Sequence, residues 1–377
     1  GIFSIIISLL SFFNIIYSYY FNLYLNIDSY VYSLIFSLII GLIFLFKKKD
    51  KYKVDVYHKI MTVIFGYFLL PLILSIPFYF SIYNISFLDS YFETISGFTS
   101  TGFTIFDNIK HLDQSLILWR SSTQWIGGLY FLFSIILLID IFDNNLKKSL
   151  TNFITFDTSE TLKQSFKILI LYSVLTFIIF LILKIFDFRT FDSFNLSMTL
   201  ISSGGFLPFN NLSLVLTSNI KEVIFSLLML LSFFSIFLSY NLIFLKNRSL
   251  NFFQEDIYLL FYFLSLVVIF FSFLNFEYDF SLLLFSVTSS ISNIGFSLNN
   301  SPKSLSFVYL ILVIIGGSFF STSSGIRFFK LYVLFKFSLN NLISHVRPKN
   351  ITNTKELFSE ISLDKLIVNK YFLSVII

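Results

Sequence analysis

The chain has 377 residues, of which 56% are hydrophobic and only 12% are charged, and its formal net charge is +5. Because soluble globular proteins carry about 25% charged residues, this balance predicts that lipid surrounds most of the protein. The absence of cysteine, the scattered positions of His58, His111 and His345, and the lack of a nucleotide-binding loop or hydrolase motif argue against disulfides, a metal centre, a cofactor and an enzyme.

Long apolar runs recur along the whole chain. Two precede residue 50, and further runs cover Ile60 to Ile82, Ser165 to Phe186, Val223 to Leu245 and Ile257 to Phe276. Each has roughly the 20 residues that a helix needs to cross about 30 Å of hydrocarbon, so we predict an all-α polytopic membrane protein. The 55 Phe, the 21 Tyr and the lack of Ala fit AT-rich codon usage, so aromatic clusters carry no functional weight.

The densest basic segment, KKKDKYK at 47–53, follows the first two apolar runs. Lys and Arg near the ends of spans resist translocation, so this loop and the N-terminus are predicted to be cytoplasmic. The same orientation places the loops 143–167, 246–256 and 336–370 inside, where most other basic residues lie. The positive charge is therefore a cytoplasmic feature, and we predict no binding to nucleic acid.

The segments on the outer side carry more acids than bases. Either this is ordinary topological bias, or the acids form a vestibule that raises the local cation concentration. The outer acids are Asp28, Asp89, Glu93, Asp107, Asp113, Asp187, Asp192, Glu222, Glu277 and Asp279.

A glycine- and hydroxyl-rich stretch, TISGFTSTGFTIF at 94–106, follows the third apolar run. The segment Leu88–Thr99 that leads into it is too short to cross the bilayer and long enough for a helix that reaches its middle. An acid at position 89 suits the N-terminus of such a helix. Gly97 lies within the predicted short helix, where we expect it to allow close packing.

Two later stretches have the same character, TLISSGGFLPF at 199–209 and SSISNIGFSLN at 289–299. They follow short segments at Thr190–Ile201 and Asp279–Ile291, and both lie on the outer side in the predicted topology. Three such stretches at matching topological positions indicate a repeated unit of span, short helix, irregular loop and span.

Irregular backbone at membrane depth is tolerated only where protein buries it or where it lines a watery cavity. A short helix that descends from outside points its negative end at the membrane centre, and carbonyl groups of the loop can replace the hydration shell of a cation. Glycine suits such a loop because it adopts backbone angles that other residues avoid. The predicted filter residues are Ser100, Thr101, Gly102, Phe103, Ser203, Gly204, Gly205, Phe206, Asn293, Ile294, Gly295 and Phe296. The predicted ligands of the cation are Thr101, Gly102, Gly204, Gly205, Ile294 and Gly295.

Two features outside these loops have two interpretations each. Arg120 and Gln124 in WRSSTQWIGGL at 119–129 either anchor an aromatic belt or pack behind the filter. A small polar cluster interrupts the apolar run from Leu305 to Phe337 and is either a kinked packing site or a mobile loop. Its residues are Gly316, Gly317, Ser318, Ser321, Thr322, Ser323, Ser324 and Gly325. Arg327 and Lys330 beyond it are predicted to anchor the helix at the inner interface or to snorkel to the surface.

The order and spacing of five segments resemble those of the Trk/Ktr/HKT superfamily of potassium transporters, and most closely its bacterial TrkH type. These segments are YFETISGFTSTGFTIF at 91–106, WRSSTQWIGGL at 119–129, TFDSFNLSMTLISSGGF at 190–206, SYNLIFLKNRSLNFF at 239–253 and GGSFFSTSSGIRFFKLYVLFK at 316–336. The two spans before residue 50 resemble the extra N-terminal pair of this type.

The resemblance implies four repeats around one pore, each with one glycine in a common filter, here Gly102, Gly205 and Gly295. It also implies that the cluster at 316–325 is a gating loop beneath the filter. Glycine at position 102 favours potassium, with sodium or protons as candidate co-transported ions in symport. The implied setting is the inner membrane of a bacterium, as a homodimer in contact with lipid and with a cytosolic ring of nucleotide-binding regulatory subunits.

We therefore predict an N-terminal helix pair (1–54) and three pore repeats (55–150, 151–252 and 253–345), followed by a cytoplasmic linker and the start of a truncated fourth repeat (346–377). The resemblance implies a fourth filter and an arginine in the final inner helix, and we expect both to lie beyond residue 377. The alternatives are a sodium-permeable transporter of the same fold, a secondary transporter with discontinuous helices, and a membrane scaffold whose glycines and serines only pack helices.

Overall fold

The computed structural model of the protein describes residues 1–46, 56–142, 161–243, 254–273, 279–298 and 305–346, together with the single positions 369 and 372. The basic loop at 47–53 lies outside the described residues. So do most of the other predicted cytoplasmic loops and nearly all of the predicted linker and fourth repeat.

The described residues are predominantly helical. The bounds of the helices are α1 Ile2–Tyr20, α2 Ile27–Phe46, α3 Val56–Leu74, α4 Ile76–Tyr79, α5 Phe87–Phe98, α6 Gln114–Phe142, α7 Thr161–Ile185, α8 Thr190–Ser202, α9 Asn219–Phe233, α10 Ile236–Ile243, α11 Gln254–Phe273, α12 Phe280–Ile291, α13 Ser306–Ile314 and α14 Phe328–Val346. Two-residue strands, β1 Ile315–Gly316 and β2 Ile326–Arg327, pair in parallel between α13 and α14.

Six of the described helical segments are long and apolar enough to cross a membrane, which confirms the predicted class. They are Ile2–Tyr20, Tyr24–Phe46, Val56–Tyr79, Gln114–Leu138, Phe166–Ile185 and Glu255–Ser272.

The predicted continuous span from Val223 to Leu245 is wrong, because the helix ends at Phe233 and resumes at Ile236. The physical reason is a competing acceptor. The backbone N–H of Ser235 donates to the Asp256 carboxylate at 2.8 Å and not to a carbonyl of its own helix. The inner helix of the second repeat is therefore interrupted, as the inner helix of the third repeat is.

The first two helices pack against each other through serines. Ser11 of α1 donates to Ser33 of α2 at 3.1 Å, and both side chains are fully buried. Small residues let membrane helices approach closely, while the large apolar side chains on the other faces remain exposed for contact with lipid.

The three short helices α5, α8 and α12, with 12, 13 and 12 residues, lie at the three predicted short segments and are named pore helices after that prediction. The long helix of one repeat packs on the pore helix of the next, since α6 contacts α8 and α9 contacts α12. This succession brings the three loops that follow the pore helices side by side.

Candidate functional site

The three loops after the pore helices share one backbone conformation. Each glycine has a positive φ, +80° at Gly102, +84° at Gly205 and +78° at Gly295. Two residues before each glycine the chain is left-handed, at Ser100, Ser203 and Asn293, with φ between 55° and 59°. Glycine reaches these angles without strain, whereas the left-handed region is costly for serine and less so for asparagine, so contacts of the loops must hold Ser100 and Ser203 there. The sequence repeat is thus also a repeat of backbone geometry.

A hydroxyl group on each pore helix fixes the end of its own loop. Ser96, Thr199 and Ser289 donate to the phenylalanine carbonyls seven residues later, at 2.6, 3.1 and 2.6 Å. The carbonyls of Phe103, Phe206 and Phe296 therefore point at the pore helices. Sequence reasoning missed these hydroxyls, although a Ser or Thr six residues before each glycine was the available signal.

Side chains also link each loop to the next one. Ser100 Oγ donates to the Ser202 carbonyl at 3.0 Å, and Ser203 Oγ donates to the Ser292 carbonyl. A Cβ on Gly102 would lie 3.0 Å from the Gly204 carbonyl oxygen, and one on Gly205 would lie 2.7 Å from that of Ile294. The first, second and third loops are therefore in direct contact in that order.

The third loop differs at its far side. Neither polar atom of the Asn293 side chain has a hydrogen-bond partner within the described part of the chain. A Cβ on Gly295 would meet nothing within 4 Å among the same residues.

A buried ion pair lies behind the first two loops. Arg120 Nε and Glu93 Oε1 are 2.8 Å apart, and both side chains are almost completely buried. Thr104 Oγ1 and the Ile105 N–H also donate to Glu93. Arg120 reaches the second loop as well, since its guanidinium donates to the Leu207 carbonyl at 3.3 Å and lies 4.3 Å from the centre of the Phe206 ring.

These contacts correct two expectations. Glu93 is not part of an acidic vestibule, because its charge is compensated by Arg120 inside the protein. Arg120 is not an aromatic-belt anchor either, because buried oxygen acceptors surround its guanidinium. The other interpretation, packing of Arg120 behind these loops, agrees with the contacts.

Helix α6 makes a second contact with the second loop, one turn further on. Gln124 is fully buried, and its Nε2 donates to the Gly204 carbonyl at 2.6 Å. Its Oε1 accepts from the Phe206 N–H at 3.3 Å. Gly97 of α5 packs on the same helix, where a Cβ would lie 2.4 Å from Thr123 Oγ1, as expected for a close-packing glycine.

The first turns of α5 and α8 carry two of the predicted acids. Ser86 caps α5 by accepting from the Asp89 N–H, and its hydroxyl donates to the Asp89 carboxylate at 2.7 Å. Asp192 lies in the first turn of α8, where burial raises the pKa of its carboxyl and the nearby Arg189 opposes the rise.

The polar cluster at 316–325 forms a loop between α13 and α14. Its neck is closed by the pairing of Ile315 with Ile326 and of Gly316 with Arg327. At the interrupted second-repeat helix, the Ser318 and Ser323 N–H groups donate to the carbonyls of Phe233 and Ser232.

The tip of this loop reaches the second pore helix. Thr322 Oγ1 donates to the Ile201 carbonyl at 2.8 Å, two residues before Ser203 of the second loop. Ser321 and Ser323 are buried beside Thr322, whereas Ser324 and Gly325 are exposed.

Two adjacent acids at the start of α11 accept hydrogen bonds from both interrupted helical regions, the break after α9 and the loop at 316–325. Glu255 accepts from the Phe319 N–H of the loop at 3.0 Å, and Asp256 accepts from Ser235. Sequence reasoning missed this pair, although charges within an apolar helix are costly and usually functional.

Arg327 is also placed differently from the expectation. It neither anchors α14 at the interface nor snorkels, because its side chain is buried and donates to the Ser318 carbonyl and to Ser321 Oγ at 3.0 and 2.9 Å. The Ser318 carbonyl and the Ser321 hydroxyl group attract the guanidinium inward.

Comparison with known proteins places these features in context. The TrkH family, described as "Cation transport protein", matches residues 27–260. An uncharacterized cation transporter of Methanocaldococcus jannaschii is 28% identical over 346 residues, which cover 87% of this chain and 69% of that protein. The Trk system potassium uptake protein TrkH of Halomonas elongata is 24% identical over 71% of this chain and 59% of its own length.

The fold is shared with a solved structure. The crystal structure of the potassium transporter TrkH from Vibrio parahaemolyticus superposes with a TM-score of 0.79 and covers 98% of this chain and 82% of its own, at 19% identity. The chain thus spans between 59% and 82% of the length of these three proteins.

Proposed function

Because the chain belongs to the TrkH family of cation transport proteins, we propose that it carries potassium across the membrane through a gated pore with a carbonyl selectivity filter. The observation that carries this proposal is the threefold recurrence of one loop conformation, with glycine φ values of +80°, +84° and +78°, in three loops that touch one another. A packing role for these glycines would not require the same rare backbone angles three times.

The proposed ligands are the backbone carbonyls of Thr101, Gly102, Gly204, Gly205, Ile294 and Gly295. Removing an ion from water costs tens of kcal/mol unless other oxygens replace its hydration shell, and rings of carbonyls do so. The carbonyls of the three phenylalanines that follow accept hydrogen bonds from hydroxyl groups on the short helices, which fixes the end of each loop.

The proposed gate is the loop at 316–325. Its residues in this role are Gly316, Gly317, Ser321, Thr322, Ser323, Ser324 and Gly325. The bond from Thr322 to the end of the second pore helix supports a position next to the filter, where displacement of the loop would open a path for ions. We favour potassium over sodium because the resemblance to the family associates glycine at position 102 with potassium.

The two interrupted helices are also what a secondary transporter with a midplane site would contain, which makes symport with sodium or protons the second candidate mechanism. Such transporters commonly use inverted repeats, whereas the three repeats here share one order of span, pore helix and loop. We further propose a bacterial inner-membrane location with the N-terminus in the cytoplasm, a homodimer, and a cytosolic nucleotide-binding regulatory ring.

Glycine-to-alanine substitutions test the filter. G102A and G205A should each abolish most potassium uptake by the intact gene product in a transport-deficient host. In both, the new Cβ meets a neighbouring carbonyl in a loop of positive φ. G295A should reduce uptake less, because only the backbone angle is strained there and no described atom lies within 4 Å.

The matched control is G41A in the N-terminal helix pair, where the new methyl group meets the side chain of Ile5, far from the filter loops. Uptake by G41A should stay near the wild-type rate. Unchanged uptake in all three filter variants, at equal protein levels, would contradict the filter assignment.

A further inference from the structure

One side chain of the first repeat holds two backbone groups of the second filter loop. Gln124 donates through Nε2 to the Gly204 carbonyl at 2.6 Å and accepts through Oε1 from the Phe206 N–H at 3.3 Å. These two groups flank Gly205, the glycine of that loop. An amide is suited to this task because it offers a donor and an acceptor side by side.

The Gly204 carbonyl lies where the second loop contacts the first. It is the atom nearest to a Cβ built on Gly102, at 3.0 Å, and the Ile294 carbonyl stands in the same relation to Gly205. Within the described residues, the Gly204 carbonyl accepts a bond from the helix of another repeat, while no such bond to the Ile294 carbonyl is seen. The second loop is therefore held in a way that the third is not.

The sequence of the second loop reflects this contact. The residues before the three filter glycines are Thr101, Gly204 and Ile294. A Cβ on Gly204 would lie 2.3 Å from the Gln124 amide, so the glutamine fills the space that a side chain takes in the other two loops. Glycine at 204 and glutamine at 124 depend on each other.

We infer that Gln124 is a positioning residue for ion discrimination, because it fixes the direction of the Gly204 carbonyl and so the size of the oxygen ring that meets the ion. This inference rests on the proposed function of the three loops. The number and orientation of carbonyl dipoles decide how well a filter separates potassium from sodium. Once released, the carbonyl would turn toward a smaller ion.

The test compares Q124M, which keeps the side-chain size and removes both hydrogen bonds, with Q114M at the exposed start of the same helix. Gln114 bonds Tyr17 and is not close to the loops, so it is the matched control. The readout is the ratio of initial potassium to sodium uptake in proteoliposomes with the intact gene product. A change in protein amount alters both rates equally and leaves the ratio unchanged.

We expect Q124M to lower the ratio roughly two- to tenfold, the factor that corresponds to one buried hydrogen bond, and Q114M to leave it unchanged. If Q124M does not fold, the same uptake ratio is measured for Q124E. A protonated carboxyl group still donates and accepts, whereas the carboxylate only accepts. The Q124E ratio should therefore be closer to wild type at about pH 5 than at about pH 8.

A wild-type ratio in Q124M, or a Q124E ratio that does not respond to pH, would overturn the inference and leave Gln124 a packing residue. If wild type and Q114M take up no potassium at all, the proposed function itself fails, and the inference with it. The controls thus separate the two failures.

Discussion

At the scale of single residues, the site is built from polar side chains that serve backbone groups of another segment. Ser100, Ser203 and Gln124 each satisfy a carbonyl in the following repeat, and Arg120 joins its own repeat to the next. The sequence singled out three loop glycines because glycine has a distinctive backbone range, and each of them has a positive φ in the structure. It did not decide the role of Arg120 and missed that of Glu255, because the partners of a buried charge are set by tertiary packing.

The Glu93–Arg120 pair gives a prediction at this scale. R120M and E93L alone should each destabilise the protein by about 3 to 5 kcal/mol, because each leaves a buried charge without its partner. The double variant E93L/R120M should lose less than the sum of the two single variants. The measurement is thermal unfolding of the purified protein in detergent.

The carboxylate of Glu93 also accepts from Thr104 and Ile105, so the double variant should not recover fully. Additive losses in the double variant would contradict a coupled pair.

At the scale of elements, the short pore helices and the long spans follow from length and apolarity, and the sequence places them within a few residues of their observed ends. The break at Phe234 and Ser235 could not be predicted in this way, because the local sequence is as apolar as any span. An acid that is distant in sequence, Asp256, takes the N–H of Ser235 and ends the helix.

Helix α11 gives the prediction at this scale. If the 316–325 loop is the gate, E255Q should weaken the carboxylate acceptor of the Phe319 N–H and raise the basal potassium uptake several-fold. T322V removes the hydroxyl donor to Ile201 with little change in volume and should act in the same direction.

S265A, at an exposed position in the middle of α11, is the control and should change nothing. The measurement is uptake into cells at a fixed external potassium concentration, normalised to the amount of protein in the membrane. Lower uptake in both E255Q and T322V would contradict a role for these two bonds in keeping the loop closed.

At the scale of the whole molecule, three units of span, short helix and loop follow a serine-packed pair of helices, and side chains of the first two units bond backbone carbonyls of the following unit. The family and the membrane class were predictable from composition and from recurring motifs. The order of contact between the loops required the structure, because it depends on α6 lying against α8 and α9 against α12.

An assembled filter should stabilise the whole protein through its ion. Thermal unfolding of the purified protein should occur at a higher temperature in potassium chloride than in choline chloride at equal ionic strength. Each tenfold rise in potassium above its dissociation constant should add about 1.4 kcal/mol to the free energy of unfolding. G205A should lose this dependence while G41A keeps it, and an equal response in both variants would contradict binding at the filter.

The bonds from Ser100, Gln124 and Ser203 all run from an earlier part of the chain to a later one. Ser100 and its acceptor, the Ser202 carbonyl, are 102 residues apart in the chain. During translation, therefore, this bond cannot form until about a hundred further residues have been synthesised. Ribosome-bound chains that end before the second repeat should accordingly expose the first loop to protease, and chains that contain it should protect the loop. Biosynthesis of this protein is thus expected to complete the first and the second loop only when the following loop enters the membrane.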